Sequence, residues 1–225
     1  FKSGADHIRL VFLTGVSRFA HLSVFSDLNN IRDISFNEDY AAICGITETE
    51  LKANFRTGIG RLAARYRRDE DQIIDRLRTY YDGYRFSEEE TYLFNPYSLL
   101  NAMEDKKFGK YWIASGTPTL LLEEMKRFDV DLQSLLNTRC SQDALSGLDL
   151  DNPNPVALFF QTGYLTIKDF DFGTNLYSLG LPNEEVKTGF LEFLLPKYLN
   201  TGVKDTPFLV SEFVREFREG DVEGF

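Results

Sequence analysis

Histidine, cysteine, tryptophan and long apolar runs are scarce in this 225-residue chain, and the scarcities remove whole classes of function. It has only two His and two Cys. Cys44 and Cys140 stand far apart with no metal-ligand spacing, which argues against a zinc site or a disulfide scaffold. They read as two reduced, buried thiols of an intracellular, cytoplasmic protein. No stretch approaches the ~18 uninterrupted apolar residues of a membrane span; the run Leu10-Val11-Phe12-Leu13 is strand-sized. Basic charge is in deficit too, 25 Lys and Arg against 35 acidic residues for a net −10 at pH 7. A field of that sign repels phosphate and argues against a general nucleic-acid or anionic-membrane surface, while leaving room for a local basic patch. The opening Phe1-Lys2-Ser3-Gly4-Ala5-Asp6 has neither a signal-peptide pattern nor a starting Met, and reads as the middle of a longer chain.

What is present is enough for a core: 43% of the residues are hydrophobic and 14% aromatic, which excludes a disordered chain. Residues 7–14 (HIRLVFLT) are continuously apolar from Leu10 to Leu13, the pattern of a parallel strand covered on both faces. Residues 31–36 read as a shorter second strand, and two strands alone do not complete such a sheet. From Thr47 the period becomes helical. Thr47-Glu48-Thr49-Glu50 is a capping box, followed by a helix that Gly58 and Gly60 interrupt. Residues 69–81 form a second helix with an apolar face of Ile73, Ile74, Leu77, Tyr80 and Tyr81, ended by Asp82-Gly83. Helices at 96–103, 117–128 and 131–137 follow. The polar stretch 138–154 reads as a linker. Beyond it come a helix at 155–161, strands at 164–169 and 175–179 around Phe172-Gly173-Thr174, and a helix at 184–199. That order outlines a winged-helix module. A last amphipathic helix covers 207–219.

Most signatures of catalysis are missing: no Walker A loop, no G-x-G-x-x-G, no nucleophile elbow and no zinc-protease motif. One segment has both composition and position in its favour. In Leu13-Thr14-Gly15-Val16-Ser17-Arg18-Phe19 a hydroxyl residue ends the apolar run, where open α/β sheets bind ligands. Thr14 can position the water that attacks a γ-phosphate, and Arg18 can neutralise transition-state charge. The plain alternative is a strand-end turn with a solvated Arg. The arginines Arg56, Arg61, Arg65, Arg67, Arg68, Arg76 and Arg78 crowd one stretch. They read either as a phosphate or nucleic-acid patch, centred on Arg61, Arg65, Arg67 and Arg68, or as a solvated face with pairs such as Arg67 with Asp71. Glu185-Val186-Lys187, with Asp169 and Asp171 upstream, matches a metal-dependent nuclease pattern superficially, but its place after Pro182-Asn183 fits the first turn of a helix. Tyr80-Tyr81-Asp82-Gly83-Tyr84-Arg85-Phe86 can stack bases or close a helix over core aromatics. The hairpin offers Lys168 as its only base and is a poor DNA reader; His7, His21 and Trp112 are structural.

Several blocks in order resemble one family. They are Phe12-Leu13-Thr14-Gly15-Val16-Ser17-Arg18-Phe19, Val24-Phe25-Ser26-Asp27-Leu28-Asn29-Asn30, Ile31-Arg32-Asp33-Ile34-Ser35, Ala42-Ile43-Cys44-Gly45-Ile46-Thr47, Tyr80-Tyr81-Asp82-Gly83-Tyr84-Arg85-Phe86, Asn95-Pro96-Tyr97-Ser98, Tyr111-Trp112 with Gly116-Thr117-Pro118, and Phe160-Gln161-Thr162-Gly163-Tyr164-Leu165-Thr166-Ile167. Spread over residues 7 to 195, they look like the bacterial AAA-ATPase-like family of predicted P-loop, STAND-related ATPases, often fused to a restriction-endonuclease-like domain. The resemblance implies a mixed α/β, mostly helical chain. Residues 1–46 would be the C-terminal part of a P-loop core, carrying the sensor-1 strand at 7–14 and the last core strand at 31–36. Residues 47–152 would be a helical lid, 153–200 a winged-helix-like subdomain, and 201–225 a helix leading to a possible further domain. Thr14, Ser17 and Arg18 would face nucleotide. The Walker A loop and the Asp-Glu-ending Walker B strand are not in this chain, so ATP and Mg²⁺ would bind only in a longer protein and the chain alone would not hydrolyse ATP. The partners implied are that missing half, a nuclease-like domain, and a protein or nucleic acid. Two other readings stand beside it: a non-catalytic module binding protein or nucleic acid, and a Mg²⁺-dependent nuclease on Asp171, Glu185 and Lys187.

Overall fold

The computed structural model describes residues 9–15, 32–115, 135, 138–146 and 154–198. Among them the helices are α1 (Glu48–Asn54), α2 (Arg56–Tyr66), α3 (Glu70–Tyr81), α4 (Pro96–Glu104), α5 (Tyr111–Ser115), α6 (Gln142–Ser146), α7 (Pro155–Gln161) and α8 (Glu184–Tyr198), and the strands are β1 (Arg139–Cys140), β2 (Thr166–Asp171) and β3 (Leu176–Gly180). The chain is therefore mixed α/β with far more helix than sheet. The helices expected at 117–128 and 207–219 lie outside the described residues, as does that at 131–137 apart from Leu135, which is helical. No described helix is long and apolar enough to cross a membrane.

The described residues fall into two compact units that the chain visits alternately. The first holds 9–15, 32–44, 84–91, 135, 138–146 and 154–181; the second holds 45–83, 92–115 and 182–198.

The second unit is built from helices whose starts are written locally. Thr47 Oγ1 accepts the Glu50 N–H at 3.2 Å while Glu50 Oε2 accepts the Thr47 N–H at 2.9 Å, the reciprocal capping box that opens α1. Asp69 caps α3 through the Gln72 N–H at 2.7 Å. Asn95 caps α4 through the Ser98 N–H at 3.2 Å, with Pro96 in its first turn. The faces these helices turn inward supply a shared core that includes Leu51, Ile59, Leu62, Ile73, Leu77 and Leu99. Gly58 and Gly60 do not interrupt a helix, contrary to expectation; the break is at Phe55 and both glycines lie inside α2. A Cβ on Gly58 would come within 2.7 Å of Met103 Sδ, so this glycine lets α2 approach α4. Tyr81, fully buried, accepts the Gly109 N–H at 2.9 Å and donates to its carbonyl at 3.0 Å. Burial holds its phenol far above the usual tyrosine range. Gly83 ends this region with φ +95°, and a Cβ there would run into the Pro182 carbonyl. The aromatics of the Tyr80–Tyr84 stretch are thus core and turn residues, and Tyr81 and Tyr84 are too buried to stack on bases.

In the first unit the strands form an antiparallel sheet of order β1-β3-β2. β2 and β3 pair from Thr166 with Gly180 to Asp171 with Leu176, and a bulge between Ile167 and Asp169 re-phases the ladder. Asp171 Oδ1 accepts the Gly173 N–H at 2.8 Å in the connecting turn, and Asn175 takes the left-handed conformation that closes it. α7 opens with Asn154 accepting the Val156 N–H at 3.0 Å and Pro155 behind it. The order α7, β2, β3, α8 matches the helix–hairpin–helix expectation; α7 and the hairpin belong to the first unit and α8 to the second. β1 and α6 correct the linker reading for residues 139–146, while 147–153 lie outside the described residues. Arg139 and Cys140 pair with Ser178 and Tyr177, and α6 is tied to α7 by Gln161 Nε2 donating to the Leu145 carbonyl at 2.9 Å.

Both expected parallel strands are corrected. Residues 9–15 carry no strand, and Leu10, Val11, Phe12 and Leu13 are exposed. Residues 32–36 run irregularly into a turn at Ser35-Phe36 ahead of a 3-10 turn at Glu38–Tyr40. A strand exists only through its hydrogen-bonded neighbours, and none of the described residues pairs with either segment. Phe36 instead stacks on Phe160 with centroids 5.8 Å apart. The thiol expectation is corrected in part: both cysteines are free, but Cys44 is exposed and Cys140 only half-buried.

Candidate functional site

Of the three residues expected to face nucleotide, Thr14 is described and Ser17 and Arg18 lie outside the described residues. Thr14 lies near the end of the exposed 9–15 segment, so it is open to solvent, and among the described residues no strand neighbours it.

The arginine stretch is described in full, and all seven side chains are exposed. Arg78 is committed, to Glu48 at 2.8 Å and Asp75 at 2.6 Å, and Glu48 also takes Lys52 at 2.5 Å. The hydrogen bonds from Lys52 and Arg78 pull the Glu48 carboxyl below its usual range. Arg76 lies over three rings, 4.8 Å from the Phe108 centroid, 5.5 Å from Tyr80 and 5.7 Å from Tyr66. Arg56 Nε donates to the Lys52 carbonyl at 3.4 Å. Arg61, Arg65, Arg67 and Arg68 make no ion pair among the described residues. The expected Arg67 to Asp71 pair does not form, for a backbone reason. α2 ends at Tyr66, Arg67 is left-handed at φ 54°, and i, i+4 geometry holds only within one continuous helix.

Asp171 and Glu185, the two carboxylates on which the nuclease reading rests, are occupied structurally. Asp171 holds the hairpin turn, and its bonds from Thr174 and Gly173 lower its pKa. Lys187 pairs with Glu184 at 3.6 Å within α8. Glu185 stands in the first turn of α8, as the helix reading expects, but it is 1% exposed. Its Oε1 accepts the Trp112 N–H at 2.7 Å. Burial raises its pKa, opposed first by the Ser98 side chain and then by the backbone N–H groups of Trp112, Ile113 and Tyr111 at the start of α5. No group of three or more His, Cys, Asp or Glu that could hold a metal ion occurs among the described residues.

An uncharacterized protein in the vnfD 5′ region of Azotobacter chroococcum mcd 1 is 38% identical to this chain over 204 residues, covering 88% of the chain and 36% of that protein. The chain thus spans little more than a third of the length of this relative. No family model matches the chain. No solved structure matches it either.

Asp82, Arg85 and Glu185 are buried charged residues, and the burial of the last two is not read from the sequence. Glu185 is one of these two. The other is Arg85, 2% exposed, whose Nε donates to the Ser87 carbonyl at 3.0 Å and whose Nη2 donates to the Glu88 carbonyl. Its backbone N–H gives a 2.7 Å bond to Thr166 Oγ1, which returns a bond to the Arg85 carbonyl at 3.1 Å. Arg85 therefore fixes residues 84–91 onto the start of β2. The only sequence signal was an Arg between Tyr84 and Phe86, where a solvated charge is out of place. Among the expected site residues, the described surface offers a ligand the exposed apolar run Leu10–Leu13 with Thr14 behind it, and four arginines without ion pairs among the described residues.

Proposed function

We propose that this chain is part of an AAA-like ATPase module that senses and transmits nucleotide state, hydrolysing ATP only together with a P-loop half that these 225 residues do not contain. The observation that carries the reading is the segment 9–15. Leu10 is 85% exposed, Phe12 55%, Leu13 46% and Val11 43%, a continuous apolar run left in water. Burying such side chains contributes about 1.5–3 kcal/mol each, so the run favours insertion into a covered sheet. Thr14, Ser17 and Arg18 would then sit at the carboxyl end of an inserted strand, where α/β sheets hold phosphates.

In this reading Thr14 orients the attacking water, Ser17 hydrogen-bonds phosphate oxygen and Arg18 stabilises charge on the transferring phosphoryl group. The solvent-open Thr14 fits that role. Mg²⁺, which neutralises phosphate charge when bound, would be held mainly by the P-loop half. The lid at 47–152 and the winged-helix-like stretch at 153–200 would carry the nucleotide state onward. The test is steady-state ATP hydrolysis by the full-length protein. Arg18→Ala and Thr14→Ala should each lower kcat by about 10²–10³ with thermal stability kept, and the 225-residue chain alone should show no turnover. Unchanged turnover in Arg18→Ala refutes the reading.

A further inference from the structure

We infer that the C-terminal end of α2, with Arg61, Arg65, Arg67 and Arg68, is a docking surface for the phosphate backbone of duplex DNA. The inference stands apart from ATP hydrolysis and rests on three observations within the second unit.

The first is that these four guanidinium groups are exposed and make no ion pair among the described residues, although acids lie close by in sequence. Asp69 spends its carboxylate on capping α3 and Asp75 spends its own on Arg78. Glu70 and Asp71 stand in the first turn of α3, where the helix dipole favours them. The second is where the backbone puts the charges. Arg67 is left-handed at φ 54°, a conformation that costs a non-glycine residue about 1–2 kcal/mol. Lys106, just past α4, is left-handed too, also at φ 54°. Both helix ends close alike, with Arg68 N–H donating to the Ala63 carbonyl at 3.1 Å and Lys107 N–H to the Ala102 carbonyl at 3.0 Å. The two ends are neighbours, because the Phe108 N–H donates to Tyr66 Oη at 3.1 Å. A basic residue thus stands at each position where glycine would be unstrained, followed by a second one; at the α4 end Lys106 and Lys107 balance Glu104 and Asp105, so the unpaired positive charge is that of the four arginines.

The third observation selects the duplex. Single strands are bound by exposed aromatic faces between basic residues. Here Tyr66, Tyr80 and Phe108 pack on one another, and Arg76 covers their faces. Arg61 and Arg65 stand one turn apart on α2, about 6 Å at the helical rise, and Arg67 and Arg68 follow directly past its end at Tyr66, so the four charges together can meet up to four backbone phosphates of a duplex. In a chain of net −10, this is a local cationic site on a repelling background, and its affinity will depend steeply on salt.

The experiment is fluorescence anisotropy of the full chain against a labelled 20-bp duplex, the matching single strand and polyglutamate, from 50 to 200 mM salt. Four phosphate contacts give a slope of log K on log salt near −3.6, a loss of about 150-fold across that range. The quadruple variant R61Q/R65Q/R67Q/R68Q should flatten the slope by about that amount, while R61K/R65K/R67K/R68K should keep it. Arg67→Gly should melt at a higher temperature yet bind the duplex more weakly, an outcome that a purely structural arginine cannot produce. The inference is overturned if the chain does not bind the duplex at 50 mM salt. Equal binding by the glutamine variant, or tighter binding of polyglutamate or single strand than of duplex, also overturns it.

Discussion

Replacing Glu185 tests the most unusual electrostatic feature of the second unit. Its carboxylate is 1% exposed and accepts the Trp112 N–H at 2.7 Å, tying α8 to the first turn of α5. Glu185→Ala leaves that N–H and its neighbours without their acceptor and opens a gap where the side chain stood. A hydrogen bond to a charged acceptor contributes about 1.5–3 kcal/mol, and a stranded buried N–H costs about 1–3 kcal/mol. Part of this is offset because the variant no longer buries a charge, so a net loss of about 2–4 kcal/mol is expected. Glu185→Gln keeps an acceptor oxygen in place and should lose about half as much. The two also differ in pH dependence. Burial raises the Glu185 pKa above its usual value of 4.5, so the folded state holds this proton more tightly than the unfolded state. Stability contributed by Glu185 is therefore complete below 4.5, falls as pH rises through the raised value, and is level above it. Glu185→Gln lacks that step, so it should look most destabilised at low pH and least so once the wild-type carboxyl has ionised. Glu48, Glu50 and Asp171, whose pKa values are lowered, give the opposite slope at lower pH in every variant and cancel in the difference. Urea unfolding between pH 4.5 and 7.5, followed through Trp112, the single tryptophan, measures both effects. Parallel pH curves for wild type and Glu185→Gln, or equal losses for Gln and Ala, would refute the assignment.

The two glycines of α2 should respond oppositely. Gly58→Val, whose Cβ meets Met103 Sδ at 2.7 Å, should cost about 1–3 kcal/mol by overpacking. Gly60→Ala, whose nearest neighbour is Glu70 Oε1 at 3.6 Å, should gain up to about 1 kcal/mol from helix propensity; denaturant midpoints check both. Gly83→Ala combines φ +95° with a clash on the Pro182 carbonyl, and thermal melting should show a loss of at least about 2 kcal/mol. Iodoacetamide should label exposed Cys44 well before Cys140, whose thiol burial pushes up to about 11; mass spectrometry of a time course reads the order.

The parts of the fold legible in sequence are those whose cause is local. Thr47 with Glu50, Asp69, Asn95-Pro96 and Asn154-Pro155 each place a helix start because the capping partner lies within three residues. The β2–β3 hairpin is legible for a similar reason, its turn being closed by Asp171 and Asn175. Gly58 misled because its reason is Met103, 45 positions away, and not the local backbone. β1 was invisible because two residues carry no period; Arg139 and Cys140 are a strand only through Ser178 and Tyr177.

The same distinction governs the candidate sites. That Arg67 and Asp71 do not pair follows from one left-handed residue, and a sequence of charges does not reveal where a helix stops by one position. The buried state of Glu185 depends on Trp112, 73 positions earlier, so its first-turn position was readable and its role was not. Leu10 to Leu13 is the sharpest case. Its composition states what such a segment does when covered, and its exposure states that these described residues do not cover it. The two observations are compatible if strand formation is a property of the partner as much as of the segment. The insertion reading then predicts that Leu10→Asp should leave the melting of the 225-residue chain nearly unchanged, since Leu10 is 85% exposed there. In the full-length protein, where burying an unpaired charge costs several kcal/mol, the same change should collapse both stability and ATP turnover. Equal melting in both contexts, measured by calorimetry, would remove the basis for placing Thr14 and Arg18 at a phosphate.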